Sequence, residues 1–403
     1  MLMMRFAAGF RLVRRRPVQV SSWSPFLFDS TLRRTQATTT TRTMTTNSTT
    51  NSTTSVPIVD LSQPAHVVGK AIHDACTRVG FFNVVHHNVS PDLLQSVLGE
   101  ARAFFDGSTL DEKDRISIRQ NESFRGYQRM GENWTGGMSD AHEALDFFSE
   151  SDRALLPNIN TRNDNNNHDD AGRRRPTNYG RNQWPDPSIY PNFRPVMERY
   201  VQEMTRVGAR LMQGCALGLD LKDPNYFHKY FDDPFWILRL IHYPSTIQNT
   251  MNQPKNDQNK TESMGCGEHT DYGMFTLIWS EKVPETLQIR TGQEWTFVEP
   301  VEGAFLCNVG DMLSRWTNGM YRSTPHRVLR PGGGISRVSC PFFYEPSYDA
   351  IIAPIDVLVQ RSNQAPSFQP IRYGDHLLSK TSSNFVLGQS SDHESNKNMG
   401  KKT

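Results

Sequence analysis

Cysteine, long apolar runs and net charge are all scarce in this chain, and each scarcity removes a class of protein. Among 403 residues there are five cysteines, Cys76, Cys215, Cys266, Cys307 and Cys340, whose spacings form no pairs. That excludes a disulfide framework and favours a reducing compartment. Cys266 and Cys340 fall close to the candidate site described below, but a small buried hydrophobe is the simpler reading of a cysteine on a strand. Hydrophobic residues make up 36% of the sequence, and no run suffices to span a bilayer as a helix, so no membrane partner is expected. The formal charge is +2, yet residues 1 to 55 hold eight Arg against one Asp, which leaves the rest of the chain mildly acidic. An acidic body argues against nucleic acid as the main partner.

What is present is a set of polar residues at strand spacing between Gly265 and Glu345. Side chains two apart on a strand share a face, so His269 and Asp271 can aim at one point, as can Arg337 and Ser339. With His326 the first pair makes two imidazoles and a carboxylate, the facial triad that suits a non-haem Fe(II) with open coordination positions. Arg337 and Ser339 add a planar fork and a hydroxyl, which suit a carboxylate-bearing co-substrate. A His-x-Asp pair alone is weak evidence. His168 and Asp170, followed by His228 and Arg239, repeat nearly the same spacing. Context separates the sets: the first pair of that decoy closes an Asn/Asp-rich run with no strand character, and the position two after Arg239 is Ile241 rather than a hydroxyl residue. His269 and Asp271 instead precede Met274 to Trp279, a strand-like run.

At these residues the chain resembles the iron- and 2-oxoglutarate-dependent dioxygenases of the isopenicillin N synthase-like group. Its H-x-D, distal H and R-x-S motifs match His269, Asp271, His326, Arg337 and Ser339. Asn308 to Asp311, His326 to Val328, Phe342 to Pro346, Val56 to Leu61 and Gly80 to Phe82 match further pieces in the same order. The resemblance implies Fe(II) held by His269, Asp271 and His326, with 2-oxoglutarate as co-substrate and dioxygen consumed. It also implies that Arg337, Ser339 and Tyr243 receive the co-substrate's far carboxylate. Many members carry Asn where Ile241 stands here, so one polar contact is missing. The resemblance marks Arg125 and Tyr127 as substrate candidates, and Phe343 and Glu345, at even offsets from Arg337, as bordering the substrate. A surface turn and core aromatics are the structural readings of Arg125, Tyr127 and Phe343. The implied activity is oxidation of a small organic metabolite, by hydroxylation, desaturation or ring closure, with release of succinate and carbon dioxide. Two rivals use the same residues: a zinc hydrolase, which leaves Arg337, Ser339 and Tyr243 unexplained, and a non-catalytic jelly-roll binding protein.

The expected architecture is α+β, a double-stranded β-helix (jelly-roll) core with flanking helices and a mixed N-terminal cap. Residues 1 to 55 read as an Arg-rich leader ending in a Thr/Ser/Asn linker. This implies mitochondrial targeting, or a cytoplasmic form if Met44 is the start. Residues 56 to 150 read as the cap, with a helix over Ala65 to Val79, a strand over Gly80 to Val85 and a helix opened by Ser90 and Pro91. Residues 151 to 188 form a polar insertion and 189 to 228 a bracing helix beginning at Pro195, with Val196, Tyr200, Met204, Val207, Leu211 and Cys215 on one face. The catalytic core spans 229 to 350, with Thr246 to Met264 looped out. Residues 351 to 403 form a terminal helix and polar tail. A monomer acting on a small molecule is expected.

Overall fold

Alternation of side chains across paired strands sets this fold. The computed structural model describes residues 53–54, 56–120, 123–150, 180–245 and 264–384. In chain order the strands are β1 Thr53–Thr54, β2 Ile58–Asp60, β3 Phe81–Val85, β4 Gly126–Gln128, β5 Trp134–Thr135, β6 Met138–Ser139, β7 Glu143–Phe148 and β8 Pro234–Tyr243. They continue as β9 Met264–His269, β10 Phe275–Ser280, β11 Leu287–Thr291, β12 Glu294–Val298, β13 Phe305–Val309, β14 His326–Leu329 and β15 Arg337–Ser347. The larger sheet has eight strands ordered β2-β3-β13-β10-β15-β8-β7-β4, and the smaller has five ordered β1-β12-β11-β14-β9.

Strand β15 shows how sequence parity builds the two sides of the larger sheet. Its even residues, Val338, Cys340, Phe342 and Tyr344, are buried in the main core. Its odd residues from Arg337 to Glu345 line a cavity shared with the smaller sheet. Helices α1 Ala65–Arg78, α2 Pro91–Gly107 and α4 Phe193–Gly218 contribute to the main core, with the short α3 Leu110–Arg115 following α2 in the chain. Each large apolar side chain buried there contributes about 1.5–3 kcal/mol. Tyr200 of α4 donates a hydrogen bond to the Cys340 carbonyl at 3.2 Å, and Trp279 Nε1 donates to Leu94 O of α2 at 3.0 Å. Glycines let α1 and α4 cross closely: a Cβ on Gly218 would lie 2.4 Å from the Gly69 carbonyl oxygen.

Several expectations need adjustment. Strands β2, β3, β4 and β7 of the expected N-terminal cap join the core's larger sheet at its two edges. β2 and β3 extend one edge through β13, and β7 and β4 extend the other through β8. Helix α4 begins at Phe193, two residues before Pro195, with Pro195 in its first turn where a missing N–H costs nothing. Thr53–Thr54, expected as linker, pairs with Phe297 and Val298. Met264, expected in a loop, opens β9. The terminal helix runs over Tyr373–Asn384. The rest of the leader, the insertion over 151–179, including His168, the loop over 246–263 and the tail from 385 lie outside the described residues.

Candidate active site

Two strand-borne imidazoles and a carboxylate just past the end of β9 converge in the cavity. His269 ends β9, His326 opens β14, and these residues are direct cross-strand partners. Asp271 follows His269 by two. The donor atoms of His269, Asp271 and His326 all lie within 4.8 Å of one another. Each imidazole Nε2 is 3.8 Å from Asp271 Oδ1. The surrounding hydrogen bonds select those atoms. His269 Nδ1 lies 2.8 Å from the Gly267 carbonyl and His326 Nδ1 lies 3.2 Å from the Thr324 carbonyl, so Nδ1 carries the proton and Nε2 presents its lone pair. Asp271 Oδ2 accepts from Asn308 Nδ2 at 2.6 Å and from the Thr276 hydroxyl, which leaves Oδ1 facing the imidazoles. Burial pushes the Asp271 carboxyl up, but the two imidazoles and these hydrogen bonds outweigh it and hold it below its ordinary value. Burial, with His269 beside it, pushes His326 down to about 4, the neutral form that ligation requires. Burial lowers His269, but Cys266, Asp271 and the Gly267 carbonyl outweigh it and raise it to about 10, a proton that a bound cation would displace. With that proton gone, two neutral nitrogens and one carboxylate oxygen fit a divalent ion with further positions open.

Beside this triad, β15 and β8 pair Arg337 with Tyr243 and Ser339 with Ile241. All four side chains line the cavity. Arg337 and Ser339 are both buried, and the Arg337 guanidinium lies 5.5 Å from the centre of the Tyr243 ring. Arg337 Nε is buried with no hydrogen-bond partner among the described residues. A nearby acid, Glu281, instead pairs with Arg102 and accepts from the Val338 backbone N–H. A buried cation lacking a carboxylate is costly, and a ligand carboxylate would satisfy it. The residues present thus fit a dicarboxylate beside the ion.

Comparison with known proteins identifies this arrangement. Residues 236–346 match the 2OG-Fe(II) oxygenase superfamily, and residues 56–187 match the non-haem dioxygenase in morphine synthesis N-terminal family. A homoarginine-6-hydroxylase of Glycine max is 38% identical over 349 residues, covering 82% of this chain and 98% of its own length. One from Arabidopsis thaliana is 35% identical, covering 83% and 98%. The chain belongs to the 2OG-Fe(II) oxygenase superfamily. A Neurospora crassa protein solved in complex with alpha-KG and thymine shares the fold at a TM-score of 0.65 and 22% identity, covering 81% of this chain and 96% of its own. JOX2, solved with 2OG, Fe and JA, aligns at a TM-score of 0.63 and 26% identity, covering 83% and 90%. The protein is an Fe(II)- and 2-oxoglutarate-dependent dioxygenase that acts on a small molecule and consumes dioxygen.

The oxygenase's cavity, about 170 Å³, is lined by β15 and β8, with Phe343 and Glu345 on the stretch of β15 nearest Thr276 and Asp271. Burial raises the Glu345 carboxyl well above its ordinary range, and Met274 N–H donates to it at 3.1 Å. Gly273 permits this: a Cβ there would coincide with the carboxyl group. Leu377 and Tyr373 of the terminal helix close the same wall.

Two of the substrate candidates are displaced. Arg125 is fully buried away from the cavity, donating to the carbonyls of Phe148 and Ser149, each at 2.9 Å, and to Asn182 Oδ1 at 2.8 Å. Tyr127 donates to Glu143 Oε2 at 2.6 Å and packs edge-on against Phe104 of α2. The error is one of strand parity. Tyr127 faces the helices, while its neighbour Gln128 reaches inward to Asp146 and Arg239. Arg239 and Asp146, partners across β8 and β7, both line the cavity, and the sequence reading assigned neither to the site. The signal for Arg239 was its even spacing from Tyr243. Asp146 sits in the nearly continuous apolar run of β7, where alternation gives no face.

Proposed function

We propose that this oxygenase hydroxylates a free basic amino acid of the homoarginine type. Its similarity to the homoarginine-6-hydroxylases over nearly their whole length supports that substrate class, as does a cavity whose lining includes Asp140 and Asp146. In this reading His269 Nε2, His326 Nε2 and Asp271 Oδ1 hold the iron, while Asn308 and Thr276 keep the carboxylate turned toward it. Arg337 receives the far carboxylate of 2-oxoglutarate, with the Ser339 and Tyr243 hydroxyls beside it. When bound, iron and 2-oxoglutarate supply the oxidising chemistry and release succinate and carbon dioxide. The chain's own contribution is aim and exclusion of water by Phe343, Leu377 and the apolar lining of both sheets.

The observation that carries the reading is the triad converging beside the unsatisfied Arg337 in one cavity. Its test is succinate formation by the full chain with Fe(II), 2-oxoglutarate and a panel of amino acids. Succinate should rise with homoarginine, and the Asp271→Ala variant should lose both turnover and iron while keeping its fold by circular dichroism. Succinate indifferent to every basic amino acid would remove the substrate class; an active Asp271→Ala would remove the site.

We also propose that the protein acts as a monomer, away from membranes and nucleic acid, which size-exclusion chromatography with light scattering checks for the monomer. No helix among the described residues is long and apolar enough to cross a membrane. From the Arg-rich leader we infer mitochondrial import, with a cytosolic form from Met44 as the second reading. Fluorescent fusions of the full chain and of the Met44 form should localise differently, and identical distributions would discard the leader's role.

A further inference from the structure

Asp140, Asp146, Arg239, Asp271, Arg337 and Glu345 are the acid and guanidinium side chains lining the cavity. Four of them have a task in the reading above or a complete set of partners. Asp271 belongs to the triad and Arg337 to the co-substrate. Asp140 accepts from the Thr135 hydroxyl at 2.6 Å through one oxygen and from Gly267 N–H at 3.0 Å through the other. Glu345 is held against the Met274 N–H. Asp146 and Arg239 remain. Arg239 Nη1 donates to Asp146 Oδ2 at 3.0 Å, and Gln128 Nε2 donates to the same oxygen at 2.5 Å. Asp146 Oδ1 is buried with no partner among the described residues. Asp146 is itself almost wholly buried, at 1% exposure. Buried carboxylate oxygens are normally hydrogen-bonded, so this one calls for a partner that the chain itself does not supply among the described residues.

Arg239 is held in place by a second contact. His142 Nδ1 lies 2.8 Å from the Gly265 carbonyl, so that nitrogen carries the proton and Nε2 accepts from Arg239 Nη2 at 3.3 Å. Burial, aided by the Arg239 charge, pushes His142 down to about 3, which keeps it a neutral acceptor. Gln128 Oε1 accepts from Arg239 Nη2 as well, at 3.3 Å. Part of the five-donor guanidinium fork stays uncommitted.

On the reading of a basic amino acid as substrate, we propose that Asp146 and Arg239 are its specificity-determining pair, receiving the α-ammonium on Asp146 Oδ1 and the α-carboxylate on Arg239. An α-amino acid carries opposite charges side by side, and so does this wall. Arg239 stands on β8, two strands from β10 across β15, and Thr276 of β10 bonds to Asp271, so the pair and the triad face one cavity from different strands.

The test is calorimetry on the full chain loaded with Fe(II) and 2-oxoglutarate without oxygen, titrated with homoarginine and with its decarboxylated and deaminated counterparts. Loss of a charge-assisted contact to a buried partner corresponds to about 10- to 100-fold in affinity. Wild type should lose about that factor with either counterpart. Arg239→Met should weaken homoarginine similarly but leave the decarboxylated amine within about 3-fold, and Asp146→Asn should do the same for the deaminated acid. Affinity for 2-oxoglutarate, measured in the same samples, reports that each variant is folded; if neither folds, the three ligands on wild type decide. Equal binding of all three, or unchanged discrimination in the variants, overturns the assignment. If homoarginine fails while another long α-amino acid binds and is oxidised, the substrate class falls and the head-group pair stands. Turnover confined to compounds lacking that head group sinks the pair.

Discussion

Arg337 is a buried cation whose partner, in this reading, arrives with the co-substrate, so its removal should register in binding rather than in folding. Arg337→Ala should raise the KM for 2-oxoglutarate about 100-fold, or about 2.7 kcal/mol, while the variant unfolds no earlier than wild type, because it deletes an uncompensated charge from the interior. Steady-state succinate assays and a thermal melt check both halves. Glu345 makes the opposite case. Its folded carboxyl is raised above the ordinary 4.5, mainly by burial, so the folded state binds the proton more tightly than the unfolded chain. Stability from this group is complete below about pH 4.5 and declines as pH climbs toward the folded value. Glu345→Gln, which fixes the neutral form, should therefore gain on wild type between about pH 5 and pH 8. Denaturation midpoints at the two pH values test the sign. A gap that closes as pH rises would show that Glu345 is ionised in the fold.

Elements transmit what single residues cannot. Helix α4 meets β15 at Gly208, where a Cβ would come within 2.5 Å of the Tyr344 ring. Tyr344 stands between Phe343 and Glu345, which face the cavity. Gly208→Ala gains up to about 1 kcal/mol in helix propensity but forces a backbone shift against a packed ring, which costs about 1–3 kcal/mol. The clash should win, lowering the denaturation midpoint and also the rate of succinate formation, since β15 cannot move its outer face without its inner one. An active variant of unchanged stability would show that the helix gives way instead. The same alternation explains what the sequence disclosed. Odd positions on β15 are legible because two-residue spacing fixes a common face along a strand, and His269 and Asp271 because their motif is recognisable even though Asp271 lies just past the end of β9. Gln128, Asp146 and His142 are not, because β4 is only three residues long, β7 carries apolar residues on both sides, His142 precedes β7, and their facing is set by the pairing of β4 with β7 and of β7 with β8. Arg239 is legible in principle. Its spacing from His228 masks it as part of a decoy set, yet His228 lies exposed on a short 3-10 turn.

At the scale of the whole molecule, the N-terminal third of the described chain is structural rather than accessory. β3 pairs residue by residue with β13, from Phe305 opposite Val84 to Asn308 opposite Phe81, and β2 adds a parallel strand beyond it. Asn308 is also the residue that turns Asp271 toward the metal position, so this edge supports the triad at one remove. Helix α1, between β2 and β3, covers α4 through the Gly69 and Gly218 contact. A chain shortened to begin after Val85 would expose β13 as an unpaired edge and strip α4 of its cover, and an exposed apolar edge invites association with other chains. Such a protein should elute as aggregate and show no cooperative unfolding. A chain beginning at Thr53 keeps β1, β2 and the whole region matching the N-terminal family from residue 56. It should match the full chain in denaturation midpoint and in 2-oxoglutarate turnover. Size-exclusion chromatography, urea denaturation and succinate release on the two shortened chains distinguish these outcomes. A soluble, cooperative protein lacking residues 53–85 would mean that β13 can end the sheet unaided, and that the triad does not depend on the strands outside it.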